Sequence, residues 1–498
     1  MSLNRTDDSG LPKVVRMPFR FRNPIGKYRI YRKGSCTGCG KCIEICPYGV
    51  HARRRGEVYV DQGYLCIGLD CPDPCYEACP VQALEMRGNP DFDAIGDFRW
   101  TSDLLASTWY MAEFGQAPPA GLEYRIGNSG GGFDKIRLLI PKDKAECVPG
   151  SHGDVDIGIE LNRRQDNAHR IRIEVPFYGG GMSYGSVSIN TMLSRIKAAV
   201  ALGTLCCTGE GGYPDELKPY DDNVITQVAT GLFGVREETI QRVRMVEFKY
   251  AQGAKPGLGV HLLGDKVTPG VARMREAVVG NPLFSPFPFH SVYSVEDHKK
   301  HVDWIKAVNP RAVVSVKVST PTDVDMVAIG SYYAGAHVIH LDGSYGGTGA
   351  APDIAKKNIA MPIEYAVPKV HRFLQEEGVR DKITVIASGG IRAPHDVAKI
   401  IALGADGVCT GTADLVALEC IRCHNCESGR GCARGIATTD PELMELIDHE
   451  WGTQRIINMF LAWKRELVRI LRGLGMKSLQ ELVGRTDCLV HLDYLTGR

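Results

Sequence analysis

The chain has 498 residues, 44% apolar and 23% charged, with 59 Lys and Arg against 58 Asp and Glu for a formal charge of +1. That balance excludes a whole-protein field that would gather nucleic acid or an anionic membrane, so any partner must be read by local features. No apolar run nears the roughly 20 residues that span a bilayer, and the opening MSLNRTDDSG lacks a signal peptide's apolar core; a cytoplasmic protein of one small and one large domain is expected. Twelve of the 17 cysteines fall into three tight groups, a pattern of metal ligation rather than of a disulfide framework.

After an N-terminal extension over 1–29 comes SCTGCGKCIEICPYG, which places Cys36, Cys39, Cys42 and Cys46 ahead of Pro47. Thiolates two and three residues apart converge on one small cluster without long loop closure, and C-x2-C-x2-C-x3-C-P is the spacing of bacterial ferredoxins. The second group, CIGLDCPDPCYEACP, holds Cys66, Cys71, Cys75 and Cys79 at wider gaps. Residues 30–86 thus resemble a small α+β ferredoxin domain with two [4Fe-4S] clusters. In such domains the fourth cysteine of each run ligates the other cluster, which pairs Cys36, Cys39, Cys42 and Cys79, and Cys66, Cys71, Cys75 and Cys46. A pair of zinc knuckles is the alternative.

Residues 87–150, rich in Gly and Pro, read as a connecting arm without chemistry. From 151 to 440, β-branched runs such as AVVSVKVS, AHVIHLDG and ITVIASGG alternate with helical patterns. Repeated βα units over this length predict an α/β fold, a (β/α)8 TIM barrel; a doubly wound open sheet is disfavoured because no G-x-G-x-x-G fingerprint follows a first strand. Barrel sites lie at the C-terminal strand ends. The loops Ser388–Gly390 and Thr410–Thr412 there suit a phosphate-bearing ligand, with tight turns and no ligand as the alternative. CIRCHNCESGRGC supplies the third group, Cys420, Cys423, Cys426 and Cys432. Residues 441–498 carry a helical pattern, RIINMFLAWKRELVRILRGLG, expected to be a packing face, while Cys147, Cys206, Cys207, Cys409 and Cys488 lack ligand spacing and read as core.

Five further motifs make the resemblance specific. TGEGG at 208–212, QVATGLFGV at 227–235, AQGAKPG at 251–257, GGTGA at 346–350 and GRTD at 484–487 are similar, in order, to the synthase domain of glutamate synthase. With the ferredoxin-like start, the chain resembles the archaeal-type members of that family. The resemblance implies a barrel binding FMN that condenses 2-oxoglutarate with ammonia and reduces the imine to glutamate. It implies flavin contacts at Met182, Ser183, Gly185, Ser186, Gln227, Gly346, Gly347, Ser388, Gly389, Gly390, Gly411 and Thr412, with Lys317 stabilising the reduced ring. Lys255 and Arg275 match substrate-holding positions. Glu210 matches a loop glutamate that orients ammonia or takes a proton, or simply pairs with a basic neighbour. KPGLGVH departs from the family's KPGEGGQ at Leu258, Val260 and His261, and His261 can still donate a hydrogen bond at the catalytic site.

Cys420, Cys423 and Cys432 align with the family's cluster and Cys426 is an addition, so a [3Fe-4S] or a [4Fe-4S] cluster is implied, with structural zinc as the alternative. Electrons would enter at the paired clusters, pass the third and reach FMN. No amidotransferase with an N-terminal catalytic cysteine and no FAD or NADPH fingerprint is found. Ammonia would therefore come free or from glutamine through a separate amidotransferase subunit, and electrons from ferredoxin or an FAD/NAD(P)H-binding subunit. Two other readings stay open: a related flavoenzyme acting on another amino or keto acid, as in N-methylglutamate formation from methylamine, and an FMN/Fe-S electron-transfer subunit without substrate chemistry.

Overall fold

The computed structural model describes residues 12–21, 24–122, 132–141, 155–356, 359–427 and 430–495; Cys147 lies outside them. Eight parallel strands close a barrel: β1 Phe177–Gly179, β2 Cys206–Cys207, β3 Val224–Ala229, β4 Met245–Lys249, β5 Val313–Ser319, β6 Val338–Asp342, β7 Thr384–Ser388 and β8 Gly407–Thr410. Their spatial order is their chain order, and β8 pairs back onto β1. The closed ring replaces the open doubly wound sheet. Parallel strands are covered on both faces, inside by side chains and outside by helices, which is why β5 reads VVSVKVS and is buried up to Ser319. A charged residue in such a strand stands out, since burial is costly unless the charge is paired.

Strand register fixes which of these meet. Lys249 lies opposite Lys317 and Lys317 opposite His340, while Asp342 lies opposite Ser388. The long connection between β4 and β5 carries an antiparallel hairpin, Leu258–Leu262 with Leu283–Pro286, and the short helix Pro269–Arg275. Lys255, His261 and Arg275 therefore come from a single insertion.

The described residues of the expected connecting arm pack into the core. Its helix Ser102–Phe114 buries Leu104, Leu105, Trp109 and Ala112 against the 25-residue helix His449–Gly473, which Asp448 caps by accepting from the Glu450 and Trp451 amides. In that long helix Phe460 stacks on Phe177 of β1 at 4.6 Å and Trp463 is fully buried, so the packing face expected for the C-terminal segment faces the barrel. The described part of the N-terminal extension is also pinned there: Arg455 Nη1 donates to the Met17 carbonyl at 2.7 Å, and Trp451 Nε1 to that of Pro18 at 3.0 Å.

The cysteine-rich unit has a sheet of Tyr28–Arg32 with Leu84–Gly88, a hairpin of His51–Arg54 with Glu57–Val60, and a small core of Cys42, Val58 and Leu84. Among the described residues no helix is long and apolar enough to cross a membrane.

Candidate active site

A cleft opens at the C-terminal strand ends, and glycine loops form its lips. It is lined by Gly180, Gly181, Met182, Ser183 and Ser186 after β1, Gly346 and Gly347 after β6, Ser388–Gly390 after β7 and Gly411 with Thr412 after β8. Gly389 requires glycine: it has φ +89 and a Cβ there would lie 2.3 Å from the Gly343 carbonyl oxygen; a Cβ on Gly181 would lie 2.8 Å from Gln227 Nε2. Of the expected cofactor contacts only Gly185 lies off the wall. At φ +104 it sits behind it, where a side chain would press on Leu262 and Arg275.

Inside the barrel mouth the strand-end charges form one hydrogen-bonded chain. Lys317 Nζ lies 3.4 Å from Asp342 Oδ2, which also accepts from the Gly253 amide at 3.0 Å, and Ser388 Oγ donates to Asp342 Oδ1 at 2.6 Å. His340 joins the two halves, 2.8 Å from Ser388 Oγ through Nε2 and 3.0 Å from Glu247 Oε2 through Nδ1. Ser315 Oγ and Gln227 Nε2 donate to Glu247 at 3.0 and 2.6 Å. Burial opposes the charge on both Glu247 and Lys317. Even so, His340 and Lys317 hold the Glu247 carboxyl down at about 2, and Asp342 and Glu247 keep Lys317 above the ordinary lysine range. Gln227 and Ser388, expected on the cofactor, thus commit a side-chain hydrogen each to this chain.

Beside this chain four ionisable side chains gather. Lys249, at the end of β4, forms an ion pair with Glu210, and burial of that carboxylate is outweighed by Lys249, Lys255 and Arg275, which hold it below the usual range. Among the described residues Lys255 has no carboxylate partner, and its Nζ donates to the carbonyls of Gly259 at 2.7 Å and Ala350 at 3.2 Å; burial, aided by Lys249, pulls it down to about 7. Arg275 donates from Nη2 to Ser183 Oγ and the Tyr184 carbonyl at 2.8 and 3.0 Å, while its buried Nε has no partner among the described residues; burial lowers it to about 10. Three cations thus face one carboxylate. His261 does not join them. Its ring stacks on Phe284 at 4.9 Å, and Nδ1 lies 3.1 Å from Glu427 Oε1 without hydrogen-bond alignment.

Glu427 belongs to the third cysteine loop, and Cys420, Cys423, Cys426 and Cys432 line the same cleft. Burial pushes the Cys420 thiol up to about 12 against the pull of Arg422, and burial with Cys432 and Cys423 raises Cys426. The loop is held from outside: Asp97 pairs with Arg422 at 2.8 Å, the Gly96 amide donates to the Ile421 carbonyl at 3.0 Å, and Lys266 donates to the carbonyls of Cys426 and Ala437. In the small unit, Arg32 donates to the sulfurs of Cys36 at 3.1 Å and Cys42 at 3.8 Å. Burial and then Cys66, Cys46, Cys42 and Cys71 push the Cys75 thiol up to about 12. No three His, Cys, Asp or Glu among the described residues converge as on a single metal ion. Buried thiols this reluctant to ionise alone, set together, suit a cluster that takes them as thiolates.

Sequence reading missed Lys249, Glu247, His340, Asp342 and Asp97. The first four carry a visible signal, a charge or imidazole inside an otherwise apolar run: MVEFK and VIHLD.

A family model described as a conserved region in glutamate synthase matches residues 143–477, and one for a 4Fe-4S binding domain matches 30–50. The chain is 37% identical over 477 residues to an archaeal-type glutamate synthase (NADPH) of Thermotoga maritima, covering 91% of this chain and 92% of that one. With the archaeal glutamate synthase (NADPH) of Methanocaldococcus jannaschii it shares 43% over 323 residues, 65% of this chain and 63% of the other. With the large chain of glutamate synthase (NADPH) of Azospirillum brasilense it shares 36% over 320 residues, 63% of this chain but 21% of the other.

Proposed function

Because the chain belongs to the glutamate synthase family, we propose that its cleft converts 2-oxoglutarate and ammonia to glutamate, drawing electrons through iron-sulfur clusters to FMN. The chain is a glutamate synthase-type oxidoreductase with a ferredoxin-type unit at residues 30–50. The observation that carries the substrate is the surplus of buried cations: among the described residues Lys255 and Arg275 have no carboxylate of their own, and Arg275 keeps an unused donor. A dicarboxylate keto acid supplies the missing anions, and desolvated charge pairs are strong when both partners are present.

The glycine lips and the cation at Lys317 fit FMN. Gly181, Gly346, Gly347, Gly389, Gly390, Gly411 and Thr412 would hold it, with Lys317 and the Asp342 to Glu247 chain beneath. When bound, FMN accepts electrons singly and returns them as a pair with a proton, and the clusters carry them one at a time. The twelve cysteines would hold two [4Fe-4S] clusters and a third in the barrel loop. The conversion consumes ammonia, two electrons and two protons per keto acid and releases water. Within it, Lys255 and Arg275 hold the carboxylates and orient the keto carbon. Glu210, kept ionised by Lys249, accepts a hydrogen bond from ammonia and so directs its lone pair. The buried chain from Lys317 to Gln227 keeps this wall rigid.

The test loads the purified chain with its cofactors, reduces it with dithionite or ferredoxin, and supplies 2-oxoglutarate with ammonium. Glutamate should form, together with about three clusters and one FMN per chain. Cluster reduction without any amino acid product overturns the reaction. Product from methylamine alone moves the substrate to N-alkyl chemistry.

A further inference from the structure

Charge in the ferredoxin-like unit is divided by position. From Lys27 to Arg55 the chain has eight Lys and Arg and one acidic residue, Glu44; from Glu57 to Glu85 it has six Asp and Glu and no Lys or Arg. In a chain whose formal charge is +1 this is a local dipole.

Folding gives the two halves different surroundings. The turn of the hairpin His51–Arg54 with Glu57–Val60 carries Arg53, Arg54 and Arg55, and it is folded onto the first cysteine loop: Arg53 Nη2 donates to the Gly38 carbonyl at 2.9 Å, and Nη1 to that of Gly56 at 3.0 Å. Lys33, Cys39, Arg53, Arg54 and Arg55 are all exposed. Arg54 lies over the Tyr59 ring at 5.2 Å, and none of these four cations forms an ion pair among the described residues. The second cysteine group faces the body instead. Tyr64 Oη donates to Glu113 of the helix Ser102–Phe114 at 3.0 Å, and a Cβ on Gly121 would lie 2.7 Å from that of Ile67. Exposed Cys39 of the first group thus sits under a basic cover, while the start of the second group packs towards the helix Ser102–Phe114.

We propose that the face made by Lys33, Cys39 and Arg53–Arg55 is where electrons enter, and that its partner is an acidic one-electron carrier protein of the ferredoxin kind. This rests on the reading that electrons reach the barrel through clusters. A cluster takes one electron, so a hydride carrier cannot serve it directly. Each encounter oxidises the carrier by one electron and reduces the chain by one, and two encounters supply one turnover. An acidic carrier is drawn to this face and repelled from the acidic half, so the electron lands on the outer cluster with the inner one next in line.

The experiment follows cluster bleaching by stopped flow, using the full cofactor-loaded chain and a reduced acidic ferredoxin. Arg54→Glu/Arg55→Glu leaves the Arg53 contacts in place. It should lower the second-order rate constant at about 20 mM salt by about tenfold or more and flatten its fall towards about 300 mM, while Arg54→Lys/Arg55→Lys keeps the parent rate. Reduction by photoreduced deazaflavin, which needs no docking, should be the same in all three proteins and reports that the charge-reversed variant is folded. Equal ferredoxin rates in parent and charge-reversed protein, or a parent rate indifferent to salt, overturn the docking face. Bleaching reads docking whether or not glutamate forms, so a photoreduced parent that makes no glutamate sinks the proposed reaction and leaves this face standing.

Discussion

Lys255 gives the sharpest handle on the substrate, because its environment sets both a sign and a size. In the cleft its ammonium falls from an ordinary 10.5 to about 7, with burial the largest cause, Lys249, Lys317 and Arg275 adding to it and Glu210 opposing. At about 1.4 kcal/mol per tenfold, the site disfavours the charged lysine by about 5 kcal/mol. A keto acid dianion is the partner that reverses this, so binding must draw a proton onto Lys255 whenever the free protein has lost it. Below about pH 6 the lysine is already charged and binding takes up little. Near pH 7 uptake is about half a proton, and by pH 8 to 9 it approaches one. The affinity falls in step, by about fivefold from pH 7 to 8 and about tenfold from 8 to 9, until the lysine of the complex itself titrates. Calorimetric titration of the FMN-loaded protein with 2-oxoglutarate, in two buffers of different ionisation enthalpy, counts the protons directly. Lys255→Met should bind more weakly at pH 7 and lose the proton uptake. Uptake that does not change between pH 6 and 9 in the parent, or that survives in Lys255→Met, refutes the assignment of Lys255 to the substrate.

What the sequence made legible follows from how local each signal is. The three cysteine groups and the lips at Gly346, Gly389 and Gly411 are fixed by spacings of a few residues, and the third group and the lips line one cleft. Repeated βα units likewise announce a barrel, because eight similar strands leave the same mark eight times. Lys249 and Asp342 were not found, since what matters about them is register: each becomes meaningful only once β4, β5, β6 and β7 lie side by side and Lys249 stands beside Lys317 and Asp342 beside Ser388. The arm failed for a related reason. Its Gly and Pro content says turns, yet the burial of Leu104 and Leu105 depends on a helix more than 300 residues later, and Asp97 matters through Arg422. His261 was expected to stand in for a family glutamine at the substrate, but its strand turns it to Phe284 and Glu427, on the side of the third cysteine loop.

Three further outcomes are expected. Cys426→Ala should leave an oxidised [3Fe-4S] signal in electron paramagnetic resonance where the parent has none, because Cys426 lines the cleft in one loop with Cys423 and Cys432; the signal in the parent at full iron would make Cys426 a bystander. Lys317→Ala should lower the flavin midpoint potential in a spectroelectrochemical titration, since the reduced ring loses a buried cation, and an unchanged potential would place Lys317 away from the ring. The last concerns Glu364, a carboxyl on the helix Ile363–Glu376 with both oxygens buried and, among the described residues, no hydrogen-bond partner for either. Burial, the largest cause, raises it from 4.5 to about 7. A raised carboxyl binds its proton more tightly folded than unfolded, so the folded state is favoured below about pH 4.5 and progressively loses ground as pH climbs to about 7. Above that the full penalty remains, about 3 kcal/mol at about 1.4 kcal/mol per tenfold. Glu364→Gln carries no charge to desolvate, so it should raise the melting temperature at pH 8 and leave it nearly unchanged at pH 5, where the parent is itself mostly neutral. A variant destabilised equally at both pH values would mean that the carboxylate has a partner and that its burial is not what sets its charge.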